Sequence, residues 1–244
     1  MSEGAPATVR RVRWYHLPIP LAASLLVSLA LAFAWGIWLT LNHAALNLQD
    51  FWFLSIVQAS AGLGLLLSSL WFLSRINDPM LPNRFRRPAA REILIALGLA
   101  VAVMLAGGLF EYLCDTFLGT HLAQDAERLP ITPRTLAQLP LGILVIAVLA
   151  PLSEEAFFRG LVLGWVQRHF GRWPAILGSA LLFGLIHVKW WMPGGLDGWL
   201  LTGELTAMGL VLALIALRTG NLWASVAAHA LNNLAAVAVI FFGL

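Results

Sequence analysis

The chain has 244 residues, of which 60% are hydrophobic and 11% are charged, and its formal net charge is +3. Soluble domains carry about 25% charged residues, so this composition excludes a soluble globular protein that covers its surface with polar groups. The mean hydropathy of +0.83 instead predicts an integral membrane protein. No stretch has soluble composition over a domain's length, so residues 1–244 are expected to form a single membrane domain.

The positive charge does not indicate nucleic-acid binding, although the isoelectric point is near 9.7. Basic residues lie between the apolar runs and do not form a basic face interleaved with aromatic residues. Such loops attract anionic lipid, so the lipid bilayer is the expected partner and nucleic acid is not. The single cysteine, Cys114, excludes a disulfide framework and a thiolate metal cluster.

In chain order, seven segments are apolar enough to be membrane spans, each of which takes about 20 residues of helix. Five are long runs, at residues 17–41, 51–73, 93–112, 139–162 and 222–242, and two are shorter or interrupted, at residues 173–188 and 199–217. The pattern predicts an all-α polytopic transmembrane bundle of seven spans, or eight if the stretch after Tyr112 contains another short element. The first span is too long for a signal-peptide core, so we expect it to remain as an anchor.

Arginines alternate between the two sides of the predicted spans. They precede the first span and follow spans two, four and six: Arg10, Arg11 and Arg13; Arg75, Arg84, Arg86, Arg87 and Arg91; Arg168 and Arg172; Arg218. The other loops are poor in positive charge. Because positive residues stay on the cytoplasmic side of a membrane, residues 1–16 are expected to form a cytoplasmic N-terminal segment, with the carboxyl terminus outside.

Polar side chains inside the apolar runs are few, and a charge at the bilayer centre costs at least about 2.5–3.5 kcal/mol. They fall in the second half of the chain: Glu154, Glu155, Arg159, His187, Glu204, His229, Asn232 and Asn233. Residues 17–138 are therefore expected to be scaffold spans, and residues 139–244 to be the spans that carry a function.

The fourth span contains two adjacent glutamates after a proline. Pro151 removes one helical hydrogen bond, frees the carbonyl of Ala147 and bends the helix just before the two glutamates. Glu155 and Arg159 are four residues apart, in the favourable order for an ion pair. Glu154 lies about 100° from Glu155 around the helix, so Arg159 pairs with it less well. Its carboxylate is therefore available for another role. A polar cluster that only holds helices together is the alternative.

Two later segments each place a histidine on a helical face. His187 follows Phe183 by four residues, and His229 precedes Asn233 by four residues, with Ser225 one turn earlier. The polar stripe formed by Ser225, His229 and Asn233 has to face the bundle interior, because these side chains would be unfavourable in contact with lipid. A carboxylate that accepts a proton, histidines that hold a water and an amide that donates to an oxyanion form a hydrolytic set. Interhelical hydrogen bonding is the alternative for each segment taken alone.

These segments resemble the three motifs of a protease family. The sequences EEAFFR, FGLIH and HALNN, beginning at Glu154, Phe183 and His229, are similar to the motifs EExxxR, FxxxH and HxxxN of the CAAX prenyl endopeptidase and bacteriocin-processing family. They occur in the family's order, and the resemblance covers residues 139–244.

The resemblance implies a glutamate-type intramembrane endopeptidase without a cofactor, acting on a membrane-associated peptide or protein in a prokaryotic cytoplasmic membrane. Glu154 and His187 would activate the attacking water, and His229 and Asn233 would stabilise the oxyanion. Glu155 and Arg159 would support them.

Three alternatives remain open from the sequence. Glu154, His187 and His229 could bind zinc and leave an open position, as in catalytic zinc sites, although the chain has no HExxH motif. A second alternative is a non-catalytic membrane protein, for immunity or regulation, that binds peptides in a polar cavity. In addition, Glu204 could be a second functional acid or a polar contact between spans six and seven.

Overall fold

The structure, a computed structural model, describes residues 13–42, 47, 50–76, 85–120, 122, 131–187 and 195–242. In these residues the chain forms helices and no strand. The long helices are α1 (Pro18–Leu41), α2 (Phe51–Arg75), α3 (Ala90–Leu118), α4 (Leu139–Phe170), α5 (Arg172–Ile186), α6 (Gly195–Thr219) and α7 (Leu222–Phe242), and a 3₁₀ turn, Trp14–His16, precedes α1.

Six of these helices are long and apolar enough to cross a membrane, which confirms the predicted polytopic bundle. α6 has 25 residues, so its glycines and Glu204 do not interrupt it as the sequence suggested. α5 has only 15 residues, which gives a rise of about 22 Å against a hydrocarbon core of about 30 Å. The described part of residues 119–138 contains no helix of spanning length.

Local chemistry sets several helix ends. The Asp50 side chain accepts hydrogen bonds from the backbone N–H groups of Trp52 and Phe53, each at 3.0 Å, and so caps the start of α2. Between α4 and α5 the backbone of Gly171 has φ of +89°, a region that L side chains rarely adopt. The chain can therefore reverse at this residue with no longer loop.

α4 is the central helix of the bundle. In its most apolar window 61% of residues are buried, whereas only 11% are buried in the corresponding windows of α1 and α3. α4 packs on α2, α5 and α7, while α1 packs mainly on α2. The polar residues of α4 are thus removed from lipid, and α1 and α3 present wide apolar surfaces to it.

A polar cluster ties the start of α3 to the turn between α6 and α7. Arg86 forms an ion pair with Glu92 and donates a hydrogen bond to the carbonyl of Thr219 at 2.9 Å. The Asn221 amide donates to the carbonyl of Arg86 at 3.1 Å and accepts from the N–H of Trp223 at 3.0 Å. α3 is therefore fixed beside α6 and α7 at this end of the bundle.

Part of the charge pattern lies outside the described residues. Arg10, Arg11 and Arg84 lie there, and so do the first twelve of the sixteen residues of the expected N-terminal segment.

Candidate active site

The backbone of α4 departs from α-helical geometry on both sides of the glutamate pair. Residues Ile143–Leu149 and Ala156–Val162 are π-helical, with hydrogen bonds to the fifth residue back. π-Helical turns are rare in proteins, and those that do occur are often found at functional sites. Glu154 and Glu155 lie on the short α-helical segment between them, Ala150–Glu155.

Pro151 and Asn233 together complete the first π-helical segment. The N–H of Ala150 bonds to the carbonyl of Val145, so in the same register residue 151 would bond to Ile146. Proline has no N–H, and the Asn233 side chain replaces it: its Nδ2 donates to the Ile146 carbonyl at 2.9 Å. In this register the carbonyl that Pro151 leaves without a backbone donor is that of Ile146, and the Asn233 amide supplies the donor.

Glu155 and Arg159 form the ion pair expected from their spacing. Arg159 donates to Glu155 Oε1 at 2.8 Å, and both side chains are completely buried. The guanidinium also donates to the carbonyl of Gly209 on α6 at 3.0 Å and lies 4.7 Å from the centroid of the Phe183 ring. The pair therefore joins α4 to α5 and α6 in a region without solvent.

Glu155 has a second partner, which the sequence did not reveal. The Nδ1 atom of His229 lies 3.1 Å from Glu155 Oε1. An ionised carboxylate only accepts hydrogen bonds, so Nδ1 carries a hydrogen. This contact orients the ring and directs Nε2 of His229 towards Glu154.

The His187 ring is also held through its Nδ1 atom, but by a backbone carbonyl instead of a carboxylate. His187 is the first residue after α5, and its Nδ1 atom lies 2.7 Å from the backbone carbonyl of Phe183. A carbonyl cannot donate, so Nδ1 again carries the hydrogen. The Nε2 atom of His187 is therefore an acceptor when the ring is neutral, and it faces Glu154.

Both rings converge on one carboxylate oxygen. Oε2 of Glu154 lies 3.7 Å from Nε2 of His187 and 3.8 Å from Nε2 of His229. Within the described residues this buried oxygen has no hydrogen-bond partner. The distances exceed those of direct hydrogen bonds, so the two rings face the carboxylate without a direct hydrogen bond to this oxygen.

Asn233 and Glu204 lie apart from the cluster of Glu154, His187 and His229. Asn233 is one turn beyond His229 on α7, about 6 Å along the helix axis, and one of its two amide hydrogens is used on Ile146. Glu204 lies against α3, where a Cβ added at Gly107 would be 3.0 Å from its Oε1 atom. Sequence spacing alone could not place either group, because both contacts are between distant helices.

The carboxylate of Glu154 and the imidazoles of His187 and His229 are ligand types that zinc binds. Tetrahedral zinc places neighbouring ligand atoms about 3.3 Å apart, and the carboxylate and ring atoms here are 3.7 and 3.8 Å apart. Across the part of the chain that the structure describes, no group of three His, Cys, Asp or Glu side chains has the geometry of a metal site. The arrangement is wider than a preformed zinc site.

Comparison with known proteins finds a family that this region resembles. Residues 136–235 match the Type II CAAX prenyl endopeptidase Rce1-like family. This part of the chain resembles that family. The match contains all three motifs, so the resemblance inferred from Glu154 to Asn233 is confirmed. No solved structure matches the chain.

The similar curated proteins are bacterial. The chain is 25% identical over 144 residues to the "Putative membrane peptidase YdiL" of Bacillus subtilis (strain 168), which covers 57% of this chain and 55% of that protein. It is 28% identical over 123 residues to an uncharacterized 24.3 kDa protein of Escherichia coli, covering 46% of this chain and 54% of that one. It is also 33% identical over 87 residues to the uncharacterized Bacillus subtilis protein YpbD, covering 36% and 39%. The chain thus spans about half the length of the first two relatives, and less of the third.

The Pro151–Ile146–Asn233 arrangement yields a stability prediction. Asn233→Ala leaves the Ile146 carbonyl without a donor, and we expect it to destabilise the protein by about 1–3 kcal/mol. Pro151→Ala restores a backbone N–H at residue 151. In that background the penalty of Asn233→Ala should fall by at least about 0.5 kcal/mol, a coupling typical of groups in contact. Thermal unfolding of the four proteins in one detergent measures it, and equal penalties in both backgrounds would contradict the arrangement.

A second prediction concerns the buried ion pair. Glu155→Gln leaves Arg159 without its counter-charge, and breaking a buried pair in this way is destabilising by about 3–5 kcal/mol. We expect low abundance and a large loss of thermal stability. The double variant Glu155→Gln/Arg159→Met removes both charges and should be more stable than Glu155→Gln. A double variant no more stable than the single one would mean that the loss has another cause.

Proposed function

We propose that the chain is an intramembrane endopeptidase that hydrolyses a peptide bond of a membrane-associated peptide or protein, with Glu154 as the general base. One observation carries the proposal: Oε2 of Glu154, buried in the central helix, faces the Nε2 atoms of both His187 and His229. The Rce1-like match supports peptide hydrolysis as the reaction. The apolar helices around the site support a substrate that is itself in or on the membrane.

In the proposed reaction, a water molecule is held by Glu154 and by the acceptor Nε2 of His187. Its oxygen attacks the carbonyl carbon of the scissile bond, and its proton moves to Oε2 of Glu154. As the tetrahedral intermediate collapses, Glu154 gives this proton to the leaving nitrogen and the C–N bond breaks. General-base work of this kind contributes about 10²–10⁴-fold in rate.

The negative charge on the carbonyl oxygen requires donors. His229, with Nδ1–H on the Glu155 carboxylate, stabilises it in the imidazolium form by donating from Nε2. The second amide hydrogen of Asn233 is the other proposed donor, and one such donor is worth about 10²–10³ in turnover. Pro151→Ala/Asn233→Ala is the variant in which to measure this loss, since the backbone then satisfies Ile146 without the amide.

The first test combines substrate discovery with catalysis. Membrane proteomes of cells that carry wild type or Glu154→Gln should differ in at least one cleavage product, present only with wild type. With that substrate and purified protein, Glu154→Gln should lower turnover by at least about 10²-fold and leave thermal stability nearly unchanged. Identical proteomes and substrate-binding activity without cleavage would favour the non-catalytic alternative.

Metal dependence is tested separately. If Glu154 is the base, the purified enzyme should keep its turnover after prolonged chelation followed by removal of the chelator. Stoichiometric zinc in the purified protein, with activity lost on stripping and restored by zinc, would instead make Glu154, His187 and His229 ligands of a catalytic metal.

We further propose that the amino terminus is cytoplasmic and that residues 17–138 are a scaffold for residues 139–244. The arginine asymmetry supports this orientation, which puts the Gly171 and Gly220 turns on the cytoplasmic side. In bacteria, a reporter active only in the cytoplasm should work when fused after Arg87 and after Arg172. Activity of a periplasm-specific reporter at either position would overturn the orientation.

A further inference from the structure

Phe183 is a buried aromatic residue that contacts polar groups from three helices. Its side chain is 1% exposed, and it lies on α5 one turn before His187. The centroid of its ring is 4.7 Å from the centroid of the His187 ring and 5.6 Å from that of the His229 ring on α7. The guanidinium carbon of Arg159 on α4 lies 4.7 Å from the same centroid. Both imidazoles of the candidate site therefore pack against one phenyl ring.

The hydrogen bonds at Nδ1 orient the two imidazoles but do not make them rigid. The bonds to Glu155 and to the Phe183 carbonyl locate one atom of each imidazole. The torsion that joins the ring of a histidine to its Cβ atom is broad, so each ring can still tilt about that contact. Packing around the rings has to select the angle at which Nε2 faces Glu154. The need is greater for His187, whose side chain is 33% exposed, than for His229, whose side chain is 3% exposed.

Phe183 can restrain the imidazoles because its own ring is held in place. The Arg159 guanidinium lies over the face of this ring, and such cation–π contacts are strongest where water is excluded. The ring of Phe158 makes an edge contact with it, at a centroid distance of 5.3 Å and an interplanar angle of 77°. An aliphatic side chain at residue 183 would offer neither a flat surface to the imidazoles nor a π face to the guanidinium. The position therefore favours an aromatic ring.

We propose that Phe183 is a positioning residue of the proposed reaction, and that its ring restrains the imidazoles of His187 and His229 so that both Nε2 atoms face Glu154. This inference rests on the proposed function for the chemistry that the two histidines perform. In this role Phe183 acts through the imidazoles and not on the substrate. It connects the buried pair of Glu155 and Arg159 to both histidines.

The kinetic test compares two buried phenylalanines. Phe183→Leu removes the ring that contacts the histidines. Phe158→Leu is the matched control: Phe158 is 3% exposed, its ring lies 5.8 Å from the same guanidinium, and among the described residues it has no ring contact with a histidine. Both variants lose one ring from the same apolar cluster, so their losses of thermal stability should be comparable.

The two variants should differ in turnover of the substrate found by comparing wild type with Glu154→Gln. Small misplacements of reacting groups are costly, so Phe183→Leu should lower kcat at least about tenfold, with KM within about threefold of wild type. Phe158→Leu should keep both constants within about threefold. Equal losses of kcat in the two variants, in proportion to their losses of thermal stability, would mean that Phe183 only fills the core, and the proposal would be wrong.

A spectroscopic measurement separates this inference from the proposed function, because it requires no substrate. The protein is isotope-labelled at histidine Cε1 and studied by NMR in detergent, with the signals of the two site histidines assigned from His187→Gln and His229→Gln. In wild type and Phe158→Leu, each ring should give one signal with a high order parameter for its Cε1–H bond. In Phe183→Leu the order parameters should fall or the signals split, most of all for His187.

Each result of the NMR measurement has a definite meaning. Single signals with unchanged order parameters in Phe183→Leu, shifted only by loss of the phenyl ring current, would contradict the restraint. Mobile imidazoles in Phe183→Leu, in a protein that cleaves no peptide, would support the restraint and contradict the protease. Cleavage that depends on Glu154, with imidazoles that stay rigid in Phe183→Leu, would contradict the restraint alone.

Discussion

The buried ion pair between Glu155 and Arg159 is the interaction on which the site depends. Both side chains are inaccessible to solvent, so neither charge has water or lipid headgroups as an alternative partner. Unpaired, each would be strongly unfavourable in hydrocarbon, and the helices that supply the partners of Arg159 must therefore stay together. The carbonyl of Gly209 on α6 and the ring of Phe183 on α5 complete the surroundings of the guanidinium. One charge pair thus holds α5 and α6 against α4.

The pair also contacts one of the candidate catalytic groups, His229. Glu155 contacts Arg159 and Nδ1 of His229 through the same oxygen, Oε1. The orientation of the His229 ring follows from this shared contact. Adjacent glutamates on one helix therefore contact opposite edges of one imidazole: Glu155 the Nδ1 edge and Glu154 the Nε2 edge. The two carboxylates are thus linked through His229 rather than divided between separate partners.

The fold class and part of the candidate site could be predicted from local sequence rules. The helical class follows from composition, and the Glu155–Arg159 contact follows from a spacing of four residues. The convergence of Glu154, His187 and His229 required the motif resemblance, since no rule of spacing relates three different helices. The π-helical register of α4 was missed, because the i→i+5 pairing is decided by what Asn233 and the surrounding helices offer to the backbone. The length of α6 was underestimated for a related reason: packing of Gly184 against Thr202 and Thr206 supports a helix that hydropathy alone divides.

The short helix α5 limits how the chain can vary. From Glu154 to the end of α4 at Phe170 there are sixteen residues, and α5 returns with 15, so the outward and returning rises are both about 22–24 Å. The reversal at Gly171 therefore brings His187 back to the depth of Glu154. One residue inserted in either arm would rotate the imidazole by about 100° and move it by about 1.5 Å. Length changes in this hairpin would consequently disturb the Glu154–His187 contact, and the geometry of the site itself constrains the number of residues between the two.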